Sequence, residues 1–207
     1  MKNVYLLLTC FLVSLIFNSA SAQDMYIKAT LAGGTKEILT KDASPNAPTN
    51  VTDIALGSKP LDLSDYMTVS SLSYVTEQTL SIGSQTAGAG AGKVTFNPLV
   101  VTKKMDASSS KLFIAQCQGK TMDLEILFVT RTSTGSTVIK KITMQTAAVK
   151  TIATASSDDC ASCPINESMS FEYGAIRLYN YSQDNSGKVT ALTPVGWNRI
   201  TNTIDNP

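Results

Sequence analysis

"GKVTFNPLVVTKKMDASSSKLFIAQCQG", residues Gly92 to Gly119, carries a strand pattern, a proline and a capped helix in immediate succession. Val94, Phe96 and Val100 fall on alternate positions between Lys93 and Met105, the period of a half-buried strand. Pro98 interrupts that alternation and, lacking an N–H, predicts an edge or a bulge. Beyond Met105 the period changes. Phe113 and Cys117 stand four apart and share a face with Leu112, as on one side of a helix. Asp106 and the Ser108-Ser109-Ser110 run offer oxygens to the unpaired amides of a first turn. Gly119 suits the left-handed position after the last turn. These signals predict one helix over Ser108 to Gln118, and the remainder of the chain decides what it packs on.

Outward from this stretch, the strand period dominates. Met25, Ile27 and Ala29 alternate within Asp24 to Leu31, and Tyr66 to Tyr74 and Gln78 to Ile82 read as short strands. Met122, Leu124, Ile126 and Phe128 alternate with Asp123 and Glu125, and Val138, Ile142 and Met144 mark the next strand after a turn around Ser133 to Ser136. Met169, Phe171 and Tyr173 share one face, with Ser168, Ser170 and Glu172 on the other. Past Gly174 the apolar phase shifts to Ile176 and Leu178, which predicts a β-bulge at the glycine. Thr40 to Lys59, with Pro45, Asn46, Pro48 and Asn50, predicts a long surface loop. One short helix among many strands indicates a β-barrel or sandwich.

Residues 1–22 are a separate object. Lys2, the short apolar run Val4 to Phe17 and the small residues Ala20-Ser21-Ala22 have the order of a cleavable signal peptide, so the mature chain is expected to begin near Gln23 as a single domain over 23–207. The apolar run is too short to span a bilayer comfortably, and no membrane association is expected once the leader is removed. Export to the periplasm or the medium follows from this reading. The chain holds 17 basic and 16 acidic residues, and the leader takes Lys2 and no acid with it, leaving the two signs balanced. Without a basic block, nucleic acid is not an expected partner. Histidine is absent, which removes the usual general base and the commonest zinc ligand, so no catalytic residue, metal or cofactor is assigned.

Thr86 to Phe96, "TAGAGAGKVTF", looks at first like a phosphate-binding loop. A P-loop needs a glycine where Ala87 stands and a hydroxyl residue where Val94 stands. The two-and-two spacing of Gly88, Gly90 and Gly92 also fails the dinucleotide fingerprint. These glycines are expected instead to let the chain turn and lie close to neighbouring backbone. Cys160-Ala161-Ser162-Cys163 lacks a second pair or a histidine for zinc, and an exported protein favours a Cys160–Cys163 disulfide, although Cys117 could pair with either. Cys117 itself is expected to be a small buried residue on the helix's apolar face. Asp158-Asp159 lacks the spaced oxygens of a calcium loop, and Trp197 is expected to pack against the strands.

The order of several short motifs resembles one family. Asp24-Met25-Tyr26-Ile27-Lys28 comes first, then Gly92-Lys93-Val94, Pro98-Leu99, Thr102-Lys103, Met105-Asp106 and the Ser-rich helix start. Glu167, Ser170-Phe171, Tyr173-Gly174, Gln183-Asp184, Gly187, Gly196-Trp197-Asn198 and Asn202 follow in the same sequence. Together they resemble the Hcp family (haemolysin-coregulated protein), the inner-tube component of type VI secretion systems. The resemblance implies a mainly β fold: a barrel of two packed antiparallel sheets with one short helix. It also implies hexameric rings that stack into a hollow tube, small protein cargo in the lumen, other secretion-system components as partners, and ring contacts through the segment holding Gly88, Gly90 and Gly92. The leader and the length of the Thr40 to Lys59 loop depart from the family's pattern. An exported β-barrel that binds a ligand or surface partner with its loops is the alternative function, and a carboxylate enzyme ranks below both.

Overall fold

The computed structural model describes residues 23–34, 36–57, 60–81, 90–132, 135–156, 164–186 and 188–207. In chain order the strands are β1 (Gln23–Leu31), β2 (Val51–Thr52), β3 (Met67–Val69), β4 (Ser71–Ser73), β5 (Thr76–Ser81), β6 (Gly90–Phe96) and β7 (Leu99–Lys104). Helix α1 (Ser108–Cys117) comes next. Then come β8 (Met122–Thr132), β9 (Gly135–Ala155), β10 (Asn166–Glu172), β11 (Ala175–Gln183), β12 (Val189–Ala191), β13 (Val195–Asn198) and β14 (Thr203–Ile204). The fold is mainly β with one α-helix among the described residues, as the sequence leads one to expect.

Strand β9 organises the rest. Its first part pairs with β8 and β11, and from Ala148 onward it pairs with β10. One sheet therefore runs β3-β1-β8-β9-β11-β13-β14 and the other runs β9-β10-β7-β4. β3 and β4 flank Ser70, whose N–H donates to the Thr102 carbonyl at 2.8 Å, so the far edges of the two sheets meet in one chain segment. The pairing is antiparallel except for β2, which lies parallel to β9. Ile27, Met67, Leu99, Val101, Ile126, Ile142, Met169 and Phe171 form the core between the sheets, and Leu112 and Ala115 of α1 reach it. Full burial of each such side chain contributes about 1.5–3 kcal/mol.

Four expectations need correcting. The apolar phase does change near Gly174, but the glycine lies between β10 and β11, where the chain passes from one sheet to the other. Its N–H donates to the Gln145 carbonyl at 2.9 Å. Opposite it, Thr146 takes a φ of 52°, rare for a β-branched residue, at the place where β9 bends between the sheets. Pro98 likewise separates β6 from β7 and shifts the apolar phase, so that Leu99 and Val101 face inward while Val94 and Val100, expected on the half-buried face, are exposed. β7 is also no edge, since β4 and β10 flank it. The segment from Thr40 does more than run over the surface. It covers the back of β1, β8 and β9 and builds a second apolar cluster of Tyr26, Val51, Leu63, Tyr66, Leu127, Val129 and Val138. Finally, Cys117 is exposed: Ser108, Leu112 and Ala115 define the inward face of α1, and Phe113, Ile114 and Cys117 face out.

Candidate assembly surfaces

Four places combine unusual chemistry with exposed or anchored structure: a buried lysine network under α1, a second buried ion pair behind the Thr40 segment, a two-stranded arm, and the end formed by β13 and β14.

The network begins in β7. Its inward positions read Leu99, Val101 and Lys103, all fully buried, so a cation occupies the third apolar slot of the strand. Register explains its tolerance, because β10 places Glu167 directly opposite Lys103. Lys103 Nζ lies 3.1 Å from Glu167 Oε2 and 2.9 Å from Asp106 Oδ1, and it donates to Ser109 Oγ at 3.0 Å and the Lys104 carbonyl at 3.1 Å. Ser109 Oγ in turn donates to Glu167 Oε2 at 2.6 Å. Three ammonium hydrogens meet four acceptors, so none is left for a substrate. The arrangement ties the first turn of α1 to β7 and β10. Asp106 also accepts the Ser108 N–H at 2.8 Å, while the N-cap position itself is held by Ala107, which has no side-chain capping bond.

A second buried ion pair anchors the Thr40 segment. Asp53, fully buried, accepts from Lys141 Nζ at 3.2 Å, from the Tyr181 hydroxyl at 2.6 Å and from the Ala55 N–H at 3.0 Å. Lys141 also lies 4.4 Å from the centre of the Tyr179 ring. Burial, and then the Asp53 carboxylate, push the Tyr181 phenol far above its ordinary value. Nearby, burial and then Glu125 do the same to Tyr66, whose hydroxyl donates to Glu125 beside Lys28. Both clusters join loop to sheet.

The arm is β5 paired with β6, a two-stranded sheet apart from the main one. Gly90 pairs with Ser81 in it, and the register shifts between Gln78 and Leu80. Gly90 and Gly92 thus belong to strand β6, which begins before Lys93, and Gly88 lies outside the described residues. Arg199 holds the arm's base. Its guanidinium sits 4.7 Å from the Tyr173 ring and 5.4 Å from the Phe96 ring. It donates to the carbonyls of Tyr173 at 2.6 Å and Phe96 at 3.4 Å. Glu172 faces both Arg199 and Lys150, and although burial works against the carboxylate, these cations hold its carboxyl below its ordinary value.

Two open clefts border these features. One of about 490 Å³, between the arm and the β13–β14 end, is lined by Lys93, Phe96, Tyr173, Trp197, Arg199 and Ile200 among others. The other, about 520 Å³, runs beside α1 and is lined by Met105, Asp106, Phe113, Ile114, Ile152 and Glu167 among others. Trp197 packs partly buried against the core, as expected from its size. Cys160 and Cys163 lie outside the described residues. Among the described residues, no group of three or more carboxylates and thiols is placed to hold a metal. Sequence reasoning did not single out the ion pairs around Lys103 and Asp53; the signal was a lysine or aspartate on the inward phase of an otherwise apolar pattern.

Residues 50–179 match the protein family described as "Type VI secretion system effector, Hcp". Among solved structures, the chain is similar to one described as "Structure of a type six secretion system protein", at 24% identity over 89% of this chain and 100% of that one, with a TM-score of 0.68. A structure described as "Crystal structure of Hcp protein" aligns at 16% identity over 82% of this chain and 98% of its own, TM-score 0.58. Hcp1 from Salmonella typhimurium aligns at 14% identity over 89% and 99%, TM-score 0.57. At these identities the structures establish likeness of fold. No curated protein matches the chain in sequence.

Proposed function

The chain belongs to the Hcp family of type VI secretion proteins, and from that premise we propose that it is a non-enzymatic structural subunit that closes into rings, most simply hexamers, able to stack into a tube. The family match over residues 50–179 carries this reading. The build of the molecule supports it: the buried ions are consumed in tying loops and helix to the sheets, while the arm and the outer face of α1 are left uncovered. Among the described residues the arm is a sheet of two strands, and the outward edge of such a strand is a surface that neighbouring copies can cover. The segment holding Gly88, Gly90 and Gly92 remains the proposed contact between rings.

Export belongs to the same proposal. Residues 1–22 act as a cleaved leader, and Gln23 is the natural new terminus because it opens β1, opposite Thr130 of β8. Removal of the leader would leave the strand whole. In the exported chain Cys160 and Cys163 form a disulfide. Light scattering of the purified protein tests the ring directly: a hexameric mass supports it. A strictly monomeric mass well above micromolar concentration rejects it and leaves the exported binding module as the better account. Amino-terminal sequencing of protein from its native cells should start at or near Gln23, and an intact Met1 form there would defeat the leader reading.

A further inference from the structure

Cyclic closure requires a head-to-tail contact, in which two different surfaces of each copy meet. The described surface offers two that fit each other. Beside α1, Phe113 and Ile114 are 55% and 53% exposed, large for apolar side chains, and Met105 is exposed next to them. The cleft they border is lined by two carboxylates, Asp106 and Glu167, and by no cation. Lys103 beneath them supplies one positive charge, so the cleft with its support keeps one net negative charge. At the β13–β14 end, Ile200 and Ile204 are each 70% exposed, with Val195 exposed nearby. The cleft bordered by Ile200 is lined by two cations, Lys93 and Arg199, and by no carboxylate. Glu172 offsets Arg199 from outside that lining, which leaves Lys93 as a net positive charge. The two surfaces sit on different parts of the fold. α1 packs on the β9–β10 side, and β14 is the free end of the other sheet. Each is an apolar projection beside a charged cleft, and the charges are opposite, the pattern that fixes register and suppresses wrong pairings between partners.

We propose that the acidic apolar groove beside α1 of one copy receives the basic apolar β13–β14 end of the next, with Ile200 seated against Phe113 and Ile114, and with Lys93 facing the part-exposed Asp106. This rests on the ring reading and names the two faces that make the ring.

The test uses the full chain and two substitutions at exposed positions, Phe113→Lys and Ile200→Lys, each followed by sedimentation velocity. Either variant alone should stay monomeric where the parent forms rings, with an unchanged circular dichroism spectrum as the sign that it still folds. Mixed one to one, they should give dimers and nothing larger. The intact groove of the Ile200→Lys copy accepts the intact end of the Phe113→Lys copy, while the other contact sets lysine against lysine. Ile114→Lys and Ile204→Lys serve as replacements should either first choice unfold. Rings from any of the variants, or a mixture that remains monomeric, would overturn the pairing and leave the ring reading standing. A parent protein that is itself monomeric would overturn both.

Discussion

Replacing Lys103 by methionine isolates the network under α1. The substitution keeps the length and apolar stem of the side chain and removes only the ammonium, so the core around Leu99 and Val101 stays filled. Two carboxylates are then left with no cation: Glu167, whose side chain is 4% exposed, and Asp106, at 15%. Removing one partner of a buried pair costs about 3–5 kcal/mol, because the remaining charge has lost its compensation without regaining water. In a chain of this size each kcal/mol moves the thermal midpoint by roughly 2–4 °C, so Lys103→Met should melt about 6–20 °C below the parent. Urea unfolding should give the same loss through the midpoint concentration with little change in slope. A double-mutant cycle with Glu167→Gln sharpens the test. Once Glu167 is neutral, the lysine has less to compensate, so the double variant should be more stable than the sum of the single losses by roughly 0.5–3 kcal/mol. A Lys103→Met variant that loses less than about 1 kcal/mol, well under the range for a broken buried pair, would refute the reasoning.

Three further outcomes follow from other contacts. Tyr181→Phe removes the hydroxyl that donates to Asp53 and should cost about 1.5–3 kcal/mol, with faster amide exchange around Val51 to Ala55 as the local readout. Glu172 has its carboxyl held below the ordinary value of 4.5. A depressed carboxylate contributes stability that is complete above the unfolded value and is lost as pH falls through the folded one. Stability followed from pH 7 downward should therefore drop less steeply below about pH 4.5 in Glu172→Gln than in the parent. Gly196→Ala would bring a Cβ to 2.2 Å from the Asp205 carbonyl oxygen and 2.8 Å from Arg177 Cγ. Backbone must move to admit it, so a loss of about 1–3 kcal/mol in thermal denaturation is expected, together with weakening of the Arg177–Asp205 pair.

Much of the fold was legible because its signals are local. Alternation in Met25 to Ala29, in Met122 to Phe128 and in Met169 to Tyr173 places those residues inside; all are buried but Met25 and Phe128, which pack partly buried against the core. Asp106, the serine run and Gly119 mark the ends of α1 because capping involves only neighbouring residues; Gly119 takes a φ of 61°. The order of motifs pointed to the right family for the same reason, since short segments keep their spacing whatever they touch. Other features depended on what the segments meet. The sequence shows that Leu112, Phe113 and Cys117 share a stripe of α1, but the side of that stripe that faces inward is set by β9, which takes Leu112 and Ala115 and leaves Cys117 in solvent. The Thr40 segment reads as a loop by composition, and only the apolar back of β1, β8 and β9 makes it a cover. Lys103 follows Leu99 and Val101, and Glu167 precedes Met169 and Phe171, on the inward phase of their strands, but neither strand alone names its partner. They become a buried pair because the β7–β10 register sets one opposite the other. Register is decided by the whole set of facing side chains, and no single strand contains that information.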